Sequence, residues 1–217
     1  PLTASMIAST ASSPNFSAHF SGPLDSSLAV QLDSGSAPLR EAMRQHGKAL
    51  LARIGLLSAN YRTLAVGAPE ERSNARGING DAANRDAYGA GAAYIFMDNG
   101  STWSQQAYIK ASNTDTGDVF GNALALSFDG NTLAVGAPQE ASSATGMNGN
   151  QADNTVWQAG AAYIYRRDGS TWNQRAYVKP MSTKMSLAFG RTLALSADGH
   201  TLAVGADNQF DGALYLY

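Results

Sequence analysis

Short apolar runs separated by polar turn sequences recur along most of this chain. In one representative stretch, the apolar residues are concentrated at 123–127, 132–137, 161–166 and 171–179. An Asp-Gly pair separates the first two runs, and another separates the last two. Asp-Gly favours a tight hairpin because glycine tolerates positive φ. The pattern therefore predicts four antiparallel β-strands.

Several of the predicted strands are apolar at consecutive positions, as in 133–135 and 161–165. A sheet with one face in water would instead alternate apolar and polar residues. Consecutive apolar positions are typical of a sheet that is covered on both faces. Sheets stacked against copies of themselves satisfy this condition, and a β-propeller is the commonest closed solution.

The strand pattern is repeated with a fixed period. The sequence Leu-Ala-Val-Gly-Ala begins at positions 64, 133 and 202, so the spacing is 69 residues both times. A constant period of this size indicates one structural unit copied along the chain. We expect a repeat region at 49–217 preceded by an atypical arm at 1–48. The expected units are 49–117, 118–186 and a truncated third unit, 187–217.

The two ends of the chain depart from the repeat. Residues 1–27 are rich in Ser, Ala and Pro and predict an extended arm, whereas 38–54 carry a helix pattern that competes with the first strand of the repeat. The third unit shortens its long loop to 208–211 and stops after its third strand, so we expect a fourth strand from elsewhere. Because the chain begins with Pro, we also expect a processed chain or a fragment.

Charge and composition exclude several classes of function. The chain has 217 residues, with 15 basic and 17 acidic ones, and no long run of like charge. A phosphate-binding face for nucleic acid is therefore not expected. The chain has no cysteine, which excludes disulfides and thiolate sites. No apolar stretch approaches the length of a transmembrane segment.

The repeat motifs resemble a known family. Phe120-Gly121 and Phe189-Gly190 are each combined with a Gly-Ala sequence further along, Gly136-Ala-Pro138 in the complete example. This combination resembles the FG-GAP repeat of integrin α subunits and of bacterial surface proteins, and is most similar to the bacterial ones. The resemblance implies an all-β fold of propeller-type blades, each with four antiparallel strands. Three units cannot close a ring of about four to eight blades, so we expect an incomplete ring in one chain.

Calcium-binding members of this family carry an Asp-x-Asp-x-Asp-Gly loop between the two motifs. The corresponding places here, 127–131 and 196–200, hold hairpin turns with one carboxylate each. Calcium prefers six to eight oxygen ligands, so the family's metal site is expected to be lost. We therefore expect no cofactor, with calcium left open at the connector that contains Asn113, Asp115 and Asp118 and in the long loops.

The long loops of the two complete units, which include 77–86 in the first and run from about 138 to 159 in the second, contain the candidate ligand-binding residues. Asp and Asn oxygens there could bind calcium or hydrogen-bond to a sugar. The competing interpretation is that these side chains satisfy their own backbone in turns. The candidates are Asn79, Asp81, Asn84, Asp86, Asn148, Asn150 and Asp153.

Two tryptophans, Trp103 and Trp172, follow hairpin turns at equivalent places in the repeat. An exposed indole could stack on a sugar, whereas a tryptophan that recurs in each unit is more often found covering a sheet edge or filling the gap between sheets. No catalytic motif is evident. The three histidines, His19, His46 and His200, are scattered.

These patterns favour a non-catalytic module that presents loops on a propeller scaffold. We expect a secreted or cell-surface bacterial protein that binds a protein partner or a second copy of itself, as an accessory subunit of a larger assembly. Two alternatives are a carbohydrate-binding lectin and a fragment of a larger propeller enzyme.

Overall fold

The fold consists of three antiparallel β-sheets. The computed structural model describes residues 56–58, 62–207 and 212–217, and this part of the chain contains no helix. Sheet 1 has four strands in sequential order and so does sheet 2, whereas sheet 3 has three; none of the sheets closes on itself. The all-β, blade-like class predicted from the sequence is confirmed. The strands are β1 (Leu56–Leu57), β2 (Thr63–Ala68), β3 (Ala92–Asp98) and β4 (Trp103–Ile109) in sheet 1; β5 (Ala123–Leu126), β6 (Thr132–Ala137), β7 (Ala161–Asp168) and β8 (Thr171–Val178) in sheet 2; and β9 (Phe189–Leu195), β10 (Leu202–Asp207) and β11 (Gly212–Leu216) in sheet 3.

Tight turns join the strands at one end of each sheet. In the β5–β6 turn, the Asp129 carboxylate accepts hydrogen bonds from the Ser127 hydroxyl at 2.6 Å and from the Asn131 amide at 2.9 Å. Gly130 follows with a φ of 73°. The carboxylate and the positive φ together stabilise the turn. The hairpin predicted from Asp-Gly is thus confirmed, and 196–200 forms the same turn around Asp198.

Sheets 1 and 2 share their strand register, including one irregularity. Ile95 pairs with Ala107 while Phe96 pairs with Gln105, which leaves Gln106 as an extra residue in β4. The same shift occurs at Ile164 in sheet 2. A β-bulge of this kind turns a side chain away from the regular alternation. The repeated sequence therefore repeats its distortions as well as its strands.

Two apolar cores lie between successive sheets. The first contains Ile95 and Ile109 from sheet 1 with Leu133 and Tyr163 from sheet 2. The second contains residues from the opposite face of sheet 2 and from sheet 3, among them Ala162, Val178, Leu202 and Val204. Sheet 2 is thus covered on both faces, as its consecutive apolar positions predicted.

Backbone contacts between Phe-Gly and Gly-Ala motifs hold the sheets close together. A Cβ at Gly67 would overlap the carbonyl oxygen of Gly121, and a Cβ at Gly121 would overlap that of Ala92. Gly121 also has a φ of 88°, which disfavours other residues. Gly136 and Gly190 make the same contact between sheets 2 and 3. Glycine is required here because two backbones touch.

The ends of the repeat region differ from its centre. β11 is an edge strand in the described part of the chain, since sheet 3 has the order β11-β10-β9. The predicted arm at 1–48, with its helix pattern, and the short loop at 208–211 lie outside the described residues.

Candidate functional site

The order of the strands places the long loops together. In an antiparallel meander, alternate connections lie at opposite ends of the sheet. The hairpin turns therefore lie at one end, the hairpin face. The other end carries the loops 69–91 and 138–160 and the connectors 110–122 and 179–188. We call this end the long-loop face.

A buried ion pair supports the base of each long loop. Lys110 Nζ lies 2.7 Å from Glu71 Oε2, and Lys179 Nζ lies 2.7 Å from Glu140 Oε2. All four side chains are essentially inaccessible to water. Burial lowers the pKa of both lysines, although the carboxylate beside each one opposes that shift. Each pair joins the start of a long loop to the end of the fourth strand.

Glu140 is bound by further donors. Its Oε1 accepts hydrogen bonds from the Tyr177 hydroxyl at 2.9 Å and from Asn113 Nδ2 at 3.0 Å. Asn113 belongs to the connector from sheet 1, and its Oδ1 accepts a 2.6 Å bond from the Tyr163 hydroxyl. The network therefore links two sheets. The ion pairs were not among the predicted site residues, although a Glu and a Lys recurring at the same repeat positions could have indicated them.

The loops fold back onto the outer edge of the fourth strand. Asn79 has a φ of 57°, its amide donates to Tyr108 O at 2.7 Å, and its Oδ1 accepts from Tyr108 N at 2.9 Å. Asn148 repeats this arrangement with Tyr177. These two predicted binding residues are engaged in covering a strand edge, which protects it from pairing with another chain.

The remaining loop candidates hydrogen-bond within their own loops. Asp81 Oδ1 accepts from Ala83 N, and Asn150 Oδ1 accepts from Ala152 N. Asn84 Oδ1 accepts from the Asn74 and Asp86 amides, while Asn84 Nδ2 donates to the Asp86 carboxylate. These are the turn interactions that competed with ligand binding in the sequence analysis.

Asp153 is the loop carboxylate with the largest number of local donors. Hydrogen bonds from the Ser143 side chain and amide, and from Thr155, lower the pKa of Asp153 to about 2. The Ser143 amide lies 2.6 Å from Asp153 Oδ2. The carboxylate therefore stays ionised and fastens the two arms of the loop together.

The structure corrects the interpretation of Trp103 and Trp172 as sugar-stacking residues. Both side chains are only 3% exposed. Trp172 Nε1 donates to Oε1 of the bulged Gln106 in sheet 1 at 2.9 Å, and the Arg167 guanidinium lies 5.6 Å from the ring centroid. Trp172 thus fills the gap between sheets 1 and 2, and neither indole offers a face to a ligand.

Two other aromatic residues are exposed on the long-loop face. Tyr88 is 62% exposed and Trp157 is 59% exposed. They occupy equivalent positions 69 residues apart. The Arg72 guanidinium lies 4.6 Å from the Tyr88 ring centroid. Sequence reasoning missed both residues because, within a loop, the pattern of apolar positions does not distinguish a buried ring from an exposed one.

The three calcium candidates of the first connector take on different roles. Asn113 belongs to the Glu140 network, and Asp115 accepts a 2.8 Å bond from Asn154 Nδ2. Asp118 is buried, and its Oδ2 accepts from Asp115 N at 2.9 Å. Burial raises the pKa of Asp118 to about 7, and the nearby Glu140 carboxylate adds to the shift. Among the described residues, no three His, Asp or Glu side chains converge to hold a metal.

One protein-family model matches part of the chain. The model of the FG-GAP repeat matches residues 103–165, which run from β4 of sheet 1 to β7 of sheet 2. The match includes Phe120-Gly121 and the Gly-Ala-Pro at 136–138. No curated protein matches the chain. In the described part of the chain, we find no helix with the length and apolar character needed to cross a bilayer.

Proposed function

Because residues 103–165 form an FG-GAP repeat, we propose that the chain is a non-catalytic binding and structural module whose long-loop face binds a protein partner. The module acts at the surface of a bacterial cell or after secretion, as an accessory subunit of a larger assembly. Its mechanism is rigid presentation of loops, without covalent chemistry.

The presentation of Tyr88 and Trp157 is the observation that carries this proposal. Each residue's carbonyl oxygen accepts a 3.0 Å hydrogen bond from the following connector, from Gly117 and Ser186 respectively. The loop bases are fixed by the buried ion pairs described above. Two large aromatic side chains are thus exposed on backbone that is already ordered. Tyr and Trp are enriched in protein interfaces, and binding costs less entropy when the loops are preorganised.

The position of His200, the one histidine in the part of the chain that the structure describes, supports a role without catalysis. His200 lies on the hairpin face, at the end opposite the exposed aromatics, with its Nδ1 3.4 Å from Asp198 Oδ2. Both side chains are largely exposed. A general base needs a positioned partner and a place for substrate between them. Because both side chains of this pair are open to solvent, they do not enclose a place for substrate.

Site-specific photo-cross-linking tests the proposal. A photoreactive phenylalanine analogue replaces Tyr88 or Trp157 in the full chain, which is then incubated with cell-surface proteins of the organism that encodes it. A third variant carries the analogue at Phe128, which is also 62% exposed but lies on the hairpin face. We expect one protein to be cross-linked from positions 88 and 157 and not from 128. Equal labelling from all three positions, or none, contradicts the proposal.

A carbohydrate ligand is the alternative, favoured by the exposed indole of Trp157. A large aromatic face beside polar loop residues is suited to stacking against a sugar. Binding to a glycan array by the unaltered chain, with loss of binding in Trp157→Ala, would assign the long-loop face to carbohydrate. Absence of glycan binding by the unaltered chain would remove this alternative, and binding retained in the Trp157→Ala variant would show that the sugar site does not depend on this indole.

A further inference from the structure

The buried ion pair of sheet 2 differs from that of sheet 1 in one partner, a side-chain amide. Glu140 binds Lys179 Nζ through Oε2 at 2.7 Å and Asn113 Nδ2 through Oε1 at 3.0 Å. In sheet 1 the lysine again binds Oε2 of Glu71, but Glu71 Oε1 accepts the backbone amide of Ser73 at 2.8 Å. At the base of the second loop, one carboxylate therefore holds an amine and a carboxamide at the same time.

Three hydrogen bonds fix the orientation of the Asn113 carboxamide. Its Oδ1 accepts from the Tyr163 hydroxyl at 2.6 Å, and its Nδ2 donates to Gln151 O at 3.0 Å as well as to Glu140. A hydroxyl donor on a carbonyl oxygen stabilises the negative charge that develops there when a nucleophile adds to the carbon. The carboxamide thus has a donor on its oxygen and a carboxylate on its nitrogen.

Burial prepares Lys179 to act as a nucleophile. Its side chain is inaccessible to water, and Asn113 is only 6% exposed. Burial lowers the pKa of Lys179, whereas the Glu140 carboxylate and, more weakly, Asp118 and Asp153 oppose the shift. In a site without water, transfer of a proton from the ammonium to the carboxylate replaces two buried charges with two neutral groups. The neutral amine is the nucleophilic form of lysine.

We propose that Lys179 and Asn113 form an intramolecular amide cross-link, with Glu140 as the proton shuttle. Lys179 Nζ gives a proton to Glu140 and attacks Asn113 Cγ, and the Tyr163 hydroxyl stabilises the oxyanion that forms. Glu140 then passes this proton to Nδ2 and takes a second one from Nζ. The Cγ–Nδ2 bond breaks, ammonia leaves with the second proton as ammonium, and the Nζ–Cγ bond remains as a secondary amide. Atoms and electrons therefore balance within the chain, with no co-reactant.

The cross-link would join the connector that follows sheet 1 to the residue that follows β8. It closes a loop from 113 to 179 that contains all four strands of sheet 2. A covalent link of this kind stabilises the fold as a disulfide does, by restricting the unfolded chain. The chain has no cysteine, so this stabilisation cannot come from a disulfide. The inference is independent of the proposed function, because the network lies beneath the loops and not on their exposed surface.

Intact mass and peptide mapping of the full chain test the cross-link. We expect the folded chain to lose the mass of one ammonia. Trypsin should then release 111–166 joined to 176–184, because these two peptides contain Asn113 and Lys179. A succinimide at an Asn-Gly sequence loses the same mass but leaves the two peptides separate. An unchanged mass, or loss of ammonia without joined peptides, overturns the proposal.

Variants that remain folded by circular dichroism make the result specific. Glu140→Gln keeps the size of the side chain but cannot shuttle protons, so cross-linking should slow about a hundredfold or more. Glu71→Gln changes the equivalent pair in sheet 1 and should leave cross-linking unaltered. Tyr163→Phe keeps the ion pair but removes the donor on Asn113 Oδ1, and should slow the reaction about tenfold or more. This variant decides the matter if Glu140→Gln does not fold.

The rates in these variants can also contradict the proposal. Cross-linking at the unaltered rate in folded Glu140→Gln would show that no proton shuttle is needed. The unaltered rate in folded Tyr163→Phe would show that the hydroxyl does not stabilise the oxyanion. Equal slowing in folded Glu71→Gln would show that general loosening of the loop bases is the cause. Each of these three results overturns the proposed reaction.

Discussion

The boundary between sheets 1 and 2 and the boundary between sheets 2 and 3 share a backbone arrangement but differ in their side chains. Both place a Phe-Gly dipeptide against two glycines, and both include a tyrosine hydroxyl bound to a lysine carbonyl, Tyr165 to Lys110 and Tyr217 to Lys179. The first boundary adds a buried polar group, Asp118, where the second has Leu187. The backbone contact thus defines the stacking, and side chains adjust each boundary.

Replacing Gly121 is expected to have the largest effect on the first boundary. In Gly121→Ala, the new Cβ would overlap the Ala92 carbonyl oxygen, and its φ of 88° strains any other residue. We expect a loss of about 4 kcal/mol or more in the free energy of unfolding, measured by denaturant titration. Gly100→Ala is the control, because Gly100 has a φ of 100° but nothing within 4 Å; it should cost only about 1 to 2 kcal/mol. Equal losses would show that strain, not contact between the sheets, dominates.

Removing the carboxylate of Glu140 should have the next largest effect. In Glu140→Ala, Lys179 is left buried without its ion-pair partner, and Asn113 and Tyr177 each lose an acceptor. We expect the free energy of unfolding to fall by about 3 kcal/mol or more. The double variant Glu140→Leu, Lys179→Met removes both charges and should recover much of this loss. A double variant as unstable as the single one would contradict the view that the unpaired charge is the cause.

Asp118 should make the first boundary sensitive to pH. Its pKa is raised from 3.8 to about 7, so between these values the folded chain holds a proton that the unfolded chain has lost. Stability is therefore expected to fall as pH rises through this window, by about 2 to 3 kcal/mol from pH 5 to pH 8. The groups that act on this carboxyl are Glu140, Asp115 and Lys110.

The matched variants for this prediction are Asp118→Asn, which keeps an acceptor for the Asp115 amide, and Asp118→Leu, which copies Leu187. The difference in unfolding free energy between the unaltered chain and each variant should vary with pH across this window. A difference that is constant from pH 5 to pH 8 would show that Asp118 is not the titrating group.

The smallest expected effect comes from the contact between a long-loop asparagine and the fourth strand, which sheets 1 and 2 share. Asn148→Ala removes the acceptor for Tyr177 N and places alanine at a φ of 56°. We expect a loss of about 1 to 2 kcal/mol. Asn148→Gly relieves the strain but does not restore the hydrogen bond, so its free energy of unfolding should lie between those of the unaltered chain and Asn148→Ala. The same substitutions at Asn79 should have similar effects, and hydrogen exchange at Tyr108 or Tyr177 N would report which loop has been released.

The sequence predicted the sheets well because their determinants are local. Predicted strands at 123–127, 132–137, 161–166 and 171–179 correspond closely to the observed β5–β8. Asp-Gly pairs mark turns through short-range hydrogen bonds and a positive φ, and the fixed period carries one unit's assignment to the next. The candidate binding residues could not be predicted equally well. Asn and Asp occur in the same sequence pattern whether they bind a ligand or hydrogen-bond to the backbone of a turn.

By itself, the sequence determined a repeated all-β unit, its strand positions and its turns. It also determined that the sheets must be covered on both faces, because their strands are apolar at consecutive positions. Only the tertiary structure decided which tryptophan is accessible: Trp103 and Trp172 are buried, whereas Trp157 is exposed. It also brought Glu140 to a lysine 39 residues away. The physical reason is that strand and turn formation depends on neighbouring residues, while burial and ion pairing depend on which distant segments meet when the sheets stack.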